Sequence, residues 1–125
     1  MKTHSHLHKC QCSLKGLISV QDYIDFLQRF IIVHSYIYYE LNNNVISDKY
    51  YDEKAKELTK LKTEYPELWK QSMYYEQFGD DYNGATGFTL YYNLNEHQKE
   101  IIRAIARSLL SGFATISHSV MRERA

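Results

Sequence analysis

One proline and five glycines in 125 residues leave little material for extended loops. That scarcity excludes collagenous and low-complexity chains and points to regular secondary structure. Cysteine is equally sparse: Cys10 and Cys12 are the two present. Separated by a single residue, they cannot form the framework of a disulfide-stapled fold. Neither sign of charge dominates, with 15 Lys and Arg against 15 Asp and Glu. A globally basic nucleic-acid binder and a strongly acidic mimic are both excluded. Long apolar runs are missing too. The longest is Phe30, Ile31, Ile32, Val33, far short of the roughly 20 residues that span a bilayer. The opening MKTHSHLHKCQCSLKG has no apolar segment of the kind a secretory signal carries. The expectation is a cytoplasmic, membrane-free chain with residues 1–16 as a His/Cys-containing tail and 17–125 as a single domain.

What the chain does have is tyrosine: twelve, against five Phe and one Trp. A flat apolar ring with a polar tip suits amphipathic surfaces and ligand pockets better than a dry core. Eight of these residues fall in two groups. Tyr36, Tyr38, Tyr39, Tyr50 and Tyr51 form the first; Tyr74, Tyr75 and Tyr82 form the second. Charge is grouped as well. Residues 71–96 hold Glu76, Asp80, Asp81 and Glu96 and no Lys or Arg, whereas 97–125 are mainly basic.

Periodicity predicts an all-α fold: an antiparallel helical hairpin, a Gly-rich connecting loop and a third long C-terminal helix. Ser19 and Asp22 read as the start of a helix over about 20–42. Val20, Ile24, Leu27, Ile31, Tyr38 and Leu41 form its stripe. Asn42, Asn43 and Asn44 end it, because Asn tolerates the left-handed geometry of a helix stop. Ser47 caps a second helix over about 48–64, striped by Tyr51, Ala55, Leu58, Leu61 and Tyr65. Pro66 stops it and opens a shorter helix through 67–77. The stretch 78–89 holds three glycines and reads as an ordered loop, and 90–94 as briefly extended. Asn95 and Gln98 form a capping box for a last helix over about 96–112. Its buried side is expected to include Ile101, Ile105, Leu109 and Gly112 or Phe113.

The hairpin tip carries the chemistry. Tyr38 and Tyr39 end one helix, and Asp48, Tyr51 and Asp52 open the next. Asp48 and Asp52, four residues apart, share a helix face and repel by a few tenths of a kcal/mol. A ligand cation or a set of hydroxyl donors would offset that repulsion, and tyrosine faces attract cations by roughly 0.5–2 kcal/mol. Aromatic walls with two carboxylates suit a flat cationic ring bearing hydroxyls. The plainer alternative is that Asp48 caps, Asp52 is solvated and the rings merely pack.

The spacing Tyr38-Tyr39, eight residues, Asp48, two residues, Tyr51-Asp52, followed by Tyr65-Pro66-Glu67-Leu68, resembles the N-terminal Ia domain of NAD-dependent DNA ligases over about residues 23–69. The resemblance implies binding of NAD or its nicotinamide mononucleotide half. Tyr38, Tyr39, Asp48, Tyr51 and Asp52 would be the contacts. Position 39 is often His in that family; Tyr39 keeps an aromatic face and lacks a cationic donor to phosphate. The family's Lys-x-Asp-Gly nucleophile motif does not occur here. A ligase-like fragment without independent catalysis is therefore expected, similar to small stand-alone ligase-related proteins of phages and prophages. It would bind the nucleotide alone or complete a separate adenylation domain.

The alternative is a phage-derived interaction module that inhibits a host enzyme or defence nuclease (an anti-defence role). Its partner surface would be Tyr74, Tyr75, Asp80, Asp81 and Tyr82. Lys99, Arg103 and Arg107 follow at i, i+4 and i+8 and could face phosphate or an acidic partner. No nucleic-acid recognition motif accompanies them, and DNA binding ranks below the other two functions. His4, His6, His8, Cys10 and Cys12 alternate, yet ligands at i, i+2 do not readily close a tetrahedron, so no metal is predicted. His34, His97 and His118 read as ordinary isolated histidines.

Overall fold

The computed structural model describes residues 18–84, 87 and 89–124, with side chains through residue 112. The expected tail, with its alternating His and Cys, lies outside the described residues, as do Ala85, Thr86, Phe88 and the side chain of Phe113. The chain is all-helical, with no strand among the described residues. Helix α1 is Val20–Glu40, α2 Asp48–Glu64, α3 Pro66–Lys70, α4 Tyr75–Phe78 and α5 Glu96–Arg124, with a 3-10 turn at Tyr91–Asn93.

The caps are built as their residue types demand. Ser19 Oγ accepts the Asp22 amide at 3.1 Å, and Ser47 Oγ accepts the Tyr50 amide at 3.1 Å. Asn95 and Gln98 exchange two bonds, 2.8 and 2.9 Å, closing a full capping box at the head of α5. At the other end of α1 the backbone widens. The Leu41 amide reaches back to Tyr36 and the Asn43 amide to Ile37. Asn42 takes the left-handed conformation at φ 53° that lets the chain turn out of the helix.

Helix α1 is central: eleven of its 21 residues are buried, against three of 17 in α2. Val20, Ile24, Leu27, Ile31, Ile32 and Ile37 pack on Ala55, Leu58 and Leu61 of α2 and on Ile102 and Ala106 of α5. Trp69, Phe78 and Tyr82 form an aromatic cluster at one end of this core, with ring centroids 4.8 to 6.1 Å apart. The Trp69 indole N–H donates to the Gly79 carbonyl at 2.9 Å.

Polar residues of α1 hold the turn between α3 and α4. Gln21 Nε2 donates to the Leu68 carbonyl at 3.0 Å, and Asp25 accepts the Met73 amide at 2.8 Å. Fully buried Gln28 donates to Ser72 Oγ at 2.8 Å and accepts the Tyr74 amide at 3.0 Å. These are side chains at i, i+4 and i+7, one helix face, and the last two answer the Met73 and Tyr74 amides, which no helix satisfies.

Five sequence expectations change. The helix over 67–77 is two short ones, α3 and α4, because the Met73 and Tyr74 amides between them bond to Asp25 and Gln28 of α1 rather than to the preceding turn. The segment 90–94 is a 3-10 turn. Leu90, Tyr91 and Leu94 are buried while Tyr92 and Asn93 are exposed, a period of three rather than two. Helix α5 runs past residue 112 to Arg124, 29 residues in all. Its buried line is Ile102 and Ala106, with Ile101 and Ile105 half-buried and Leu109 exposed, so the helix is rotated from the expected face. Tyr38 and Leu41, expected on the buried stripe of α1, are exposed, because the last turn of that helix passes beyond the core.

Candidate functional site

A cavity of about 310 Å³ opens at the hairpin tip. It is walled by the last two turns of α1, the loop 44–47, the first turn of α2, and two glycines of the loop before the 3-10 turn. All five residues expected to contact a nucleotide line it: Tyr38, Tyr39, Asp48, Tyr51 and Asp52. The helix ends account for the convergence. Tyr38 and Tyr39 ride the final turn of α1, and the Ser47 cap fixes where α2 begins, which sets Asp48, Tyr51 and Asp52 around its first turn.

The rings differ in depth. Tyr38 and Tyr39 are about half exposed at the mouth and meet edge to face, with centroids 4.9 Å apart. Tyr51 is further in, its hydroxyl 2.8 Å from Ser35 Oγ. Burial, above all, raises the Tyr51 pKa, so the phenol stays protonated and acts as a hydrogen-bonding group. Asp48 and Asp52 are exposed to the solvent side of the cavity.

Five lining residues escaped the sequence reading: His34, Ser35, Asn44, Gly84 and Gly87, along with the apolar link Val45 and Ile46 and the cap Ser47. The signal for two of them was present, since His34 and Ser35 stand one turn before Tyr38 and Tyr39 on the same faces. Gly84 and Gly87 come from a distant loop and left no such trace. Gly87 packs so closely on the Ser35–Tyr51 pair that a Cβ there would run into Ser35 Oγ and lie 2.8 Å from Tyr51 Oη. Gly84 sits at φ 82°, its missing Cβ facing Thr59 Oγ1 at 3.3 Å.

The second tyrosine group does not form the surface expected of it. Tyr74 and Tyr82 are in the core, 1% and 8% exposed, where their rings fill space between α1, α3 and the loop. A buried ring offers nothing to a partner, so only Tyr75, Asp80 and Asp81 of that set remain outside. Tyr75 Oη donates to Asp80 at 2.8 Å, and Lys70 Nζ stands 3.4 Å from the same carboxylate. The Tyr75 bond, aided by Lys70, lowers the Asp80 pKa. The basic stripe is also partly engaged. Arg103 donates to Tyr91 Oη at 2.7 Å and pairs with Glu96 at 3.4 Å, and Lys99 lies over the Tyr91 ring at 5.5 Å. Arg107 is exposed. Among the described residues no group of three or more His, Cys, Asp or Glu is placed to hold a metal ion, and no helix is long and apolar enough to cross a membrane.

The comparison with known proteins falls on the hairpin and the turn after it. Residues 18–72 match the family described as DNA ligase-like, N-terminal NAD+-binding domain. A DNA ligase from Endomicrobium trichonymphae is 46% identical over 48 residues, which is 38% of this chain and 7% of the ligase. The chain thus spans a small fraction of that relative's length. No solved structure matches it significantly. The ligase-like segment contributes α1, α2 and α3, and with them every lining residue of the cavity except Gly84 and Gly87.

Proposed function

We propose that the chain is a non-catalytic nicotinamide-nucleotide-binding module whose site is the cavity at the hairpin tip. The observation that carries this reading is the convergence of Tyr38, Tyr39, Asp48, Tyr51 and Asp52 on one cavity within a segment similar to an NAD+-binding domain. Size supports it. At about 310 Å³ the cavity is at the small end of the roughly 300–1,000 Å³ typical of ligand pockets, enough for the mononucleotide half of NAD rather than the whole dinucleotide. Chemistry supports it too. Tyrosine faces and two carboxylates favour a pyridinium ring, and the same carboxylates accept hydrogen bonds from ribose hydroxyls.

These 125 residues contain no Lys-x-Asp-Gly, and the lining holds no activated nucleophile. The module would therefore bind, either by itself or together with an adenylation domain on another chain. Thermal unfolding with nicotinamide mononucleotide tests the reading. A ligand at 100 times its Kd stabilises by about 2.7 kcal/mol, which a domain of this size registers as a clear rise in Tm. Asp52→Asn should abolish or sharply reduce the rise while leaving the ligand-free Tm close to wild type, and Tyr51→Phe should reduce the rise measured from its own ligand-free Tm, since it also removes the partner of buried Ser35. No rise at millimolar ligand would remove this reading in favour of the interaction module, for which co-purification of a host protein is the corresponding test.

A further inference from the structure

One group in the cavity is unaccounted for by the ligase-like pattern. His34 lies one turn before Tyr38 on α1, 9% exposed, with its ring tilted against Phe30 at 4.4 Å between centroids. It lines the cavity, and no hydrogen bond to its ring nitrogens occurs among the described residues. Those nitrogens are not sealed from solvent, so their hydrogen-bonding capacity is open to the cavity. Its neighbours are already occupied: Ser35 and Tyr51 bond each other at 2.8 Å, and Gly87 is sealed against them. The imidazole is therefore the group beside them whose two hydrogen-bonding nitrogens are both uncommitted among the described residues.

The charge around it is one-sided. Among the lining residues Asp48 and Asp52 are the acids, and no Lys or Arg is present. Burial lowers the His34 pKa to about 4, so at neutral pH it adds no positive charge. A neutral imidazole carries one N–H donor and one acceptor nitrogen. A carboxamide, with an NH₂ and a carbonyl, can answer either one. A carboxylate can answer only the donor, and would enter a site already holding two negative charges with no Lys or Arg among the described lining residues to pair with it.

We propose that His34 is the specificity-determining residue of this cavity. It hydrogen-bonds the neutral carboxamide on the ligand's pyridinium ring, and so selects the amide over the corresponding carboxylate. The inference rests on the nucleotide reading above and names the ring substituent that reading leaves open.

Nicotinamide mononucleotide and nicotinic acid mononucleotide, identical in ribose and phosphate, form the test pair. Titration calorimetry on the full chain should give the amide an advantage of about tenfold or more, the scale of one hydrogen bond to a buried partner plus avoided charge repulsion. His34→Phe retains an aromatic ring against Phe30 and removes both nitrogens. It should keep the ligand-free Tm and bring the two affinities within about threefold, by weakening the amide. His34→Gln, which keeps a donor and an acceptor, should restore part of the preference. Equal binding of both nucleotides by wild type, or an undiminished preference in His34→Phe, would overturn the role of His34 and leave the nucleotide site standing. Failure of wild type to bind either nucleotide would overturn both.

Discussion

His34 has a second consequence, this time for stability. Its folded pKa of about 4 lies below the unfolded value of 6.5. Between those values the unfolded chain binds the proton and the folded chain does not, so stability falls as pH drops from about 6.5 to 4 and levels off below. The gap corresponds to a loss on the order of 3 kcal/mol. Asp25 works in the opposite direction, because burial raises its pKa and the folded state takes up its proton first. The comparison that isolates His34 is therefore between wild type and His34→Phe. Urea midpoints at pH 7 and pH 4 should fall much further for wild type. Equal falls in the two proteins would show that the imidazole is not buried as described.

At the scale of elements, the second half of the 71–74 turn is held by α1, through the Met73 and Tyr74 amides. Gln28→Leu removes the acceptor of the Tyr74 amide and the donor to Ser72 Oγ, both buried. The Tyr74 amide is then unpaired, at a cost of roughly 1–3 kcal/mol, while Ser72 Oγ keeps its bond to the Trp69 carbonyl. Chemical denaturation should register a loss of about 1–3 kcal/mol, with the secondary structure of α1 and α2 intact by circular dichroism. How far these elements were legible depends on where their determinants lie. The hairpin was plain, because Ser19, Ser47 and Asn42 are local signals and the apolar stripes repeat over many turns. The break between α3 and α4 was hidden, since Gln28 lies more than 40 residues away from the turn it organises. The rotation of α5 was hidden too. Ile101, Ile102, Ile105 and Leu109 allow two apolar faces, and only packing on α1 selects Ile102 with Ala106. In the cavity, the residues of the ligase-like spacing were readable in sequence. Gly87 was not, because its role is a close approach to Ser35 and Tyr51 across the fold.

For the molecule as a whole, the segment similar to ligases and the unit that folds are different things. Residues 18–72 lack Tyr74, Phe78, Tyr82, Leu90, Tyr91, Leu94, Ile102 and Ala106, all of which are in the core. Burial of one large side chain of this kind contributes about 1.5–3 kcal/mol, so their joint loss is as large as the 5–15 kcal/mol that ordinarily separates folded from unfolded. A fragment ending at residue 72 should show helical circular dichroism at most, with no cooperative thermal transition. The full chain should unfold in one step. A fragment with a sharp transition near the wild-type Tm would refute the shared core.

Trp69 turns that shared core into something that can be watched. It is the chain's single tryptophan, belongs to the ligase-like segment, and is almost wholly buried against Phe78 and Tyr82 from the remainder. Its indole therefore emits from an apolar setting only while the two parts are docked, and the chain's tyrosines, Tyr82 stacked on it first among them, are potential energy donors. Fluorescence excited at the tyrosine band and read at the tryptophan band gives a built-in optical gauge of assembly, without a dye or a label. Because Trp69 does not line the cavity at the hairpin tip, the gauge reads the scaffold and leaves that site undisturbed.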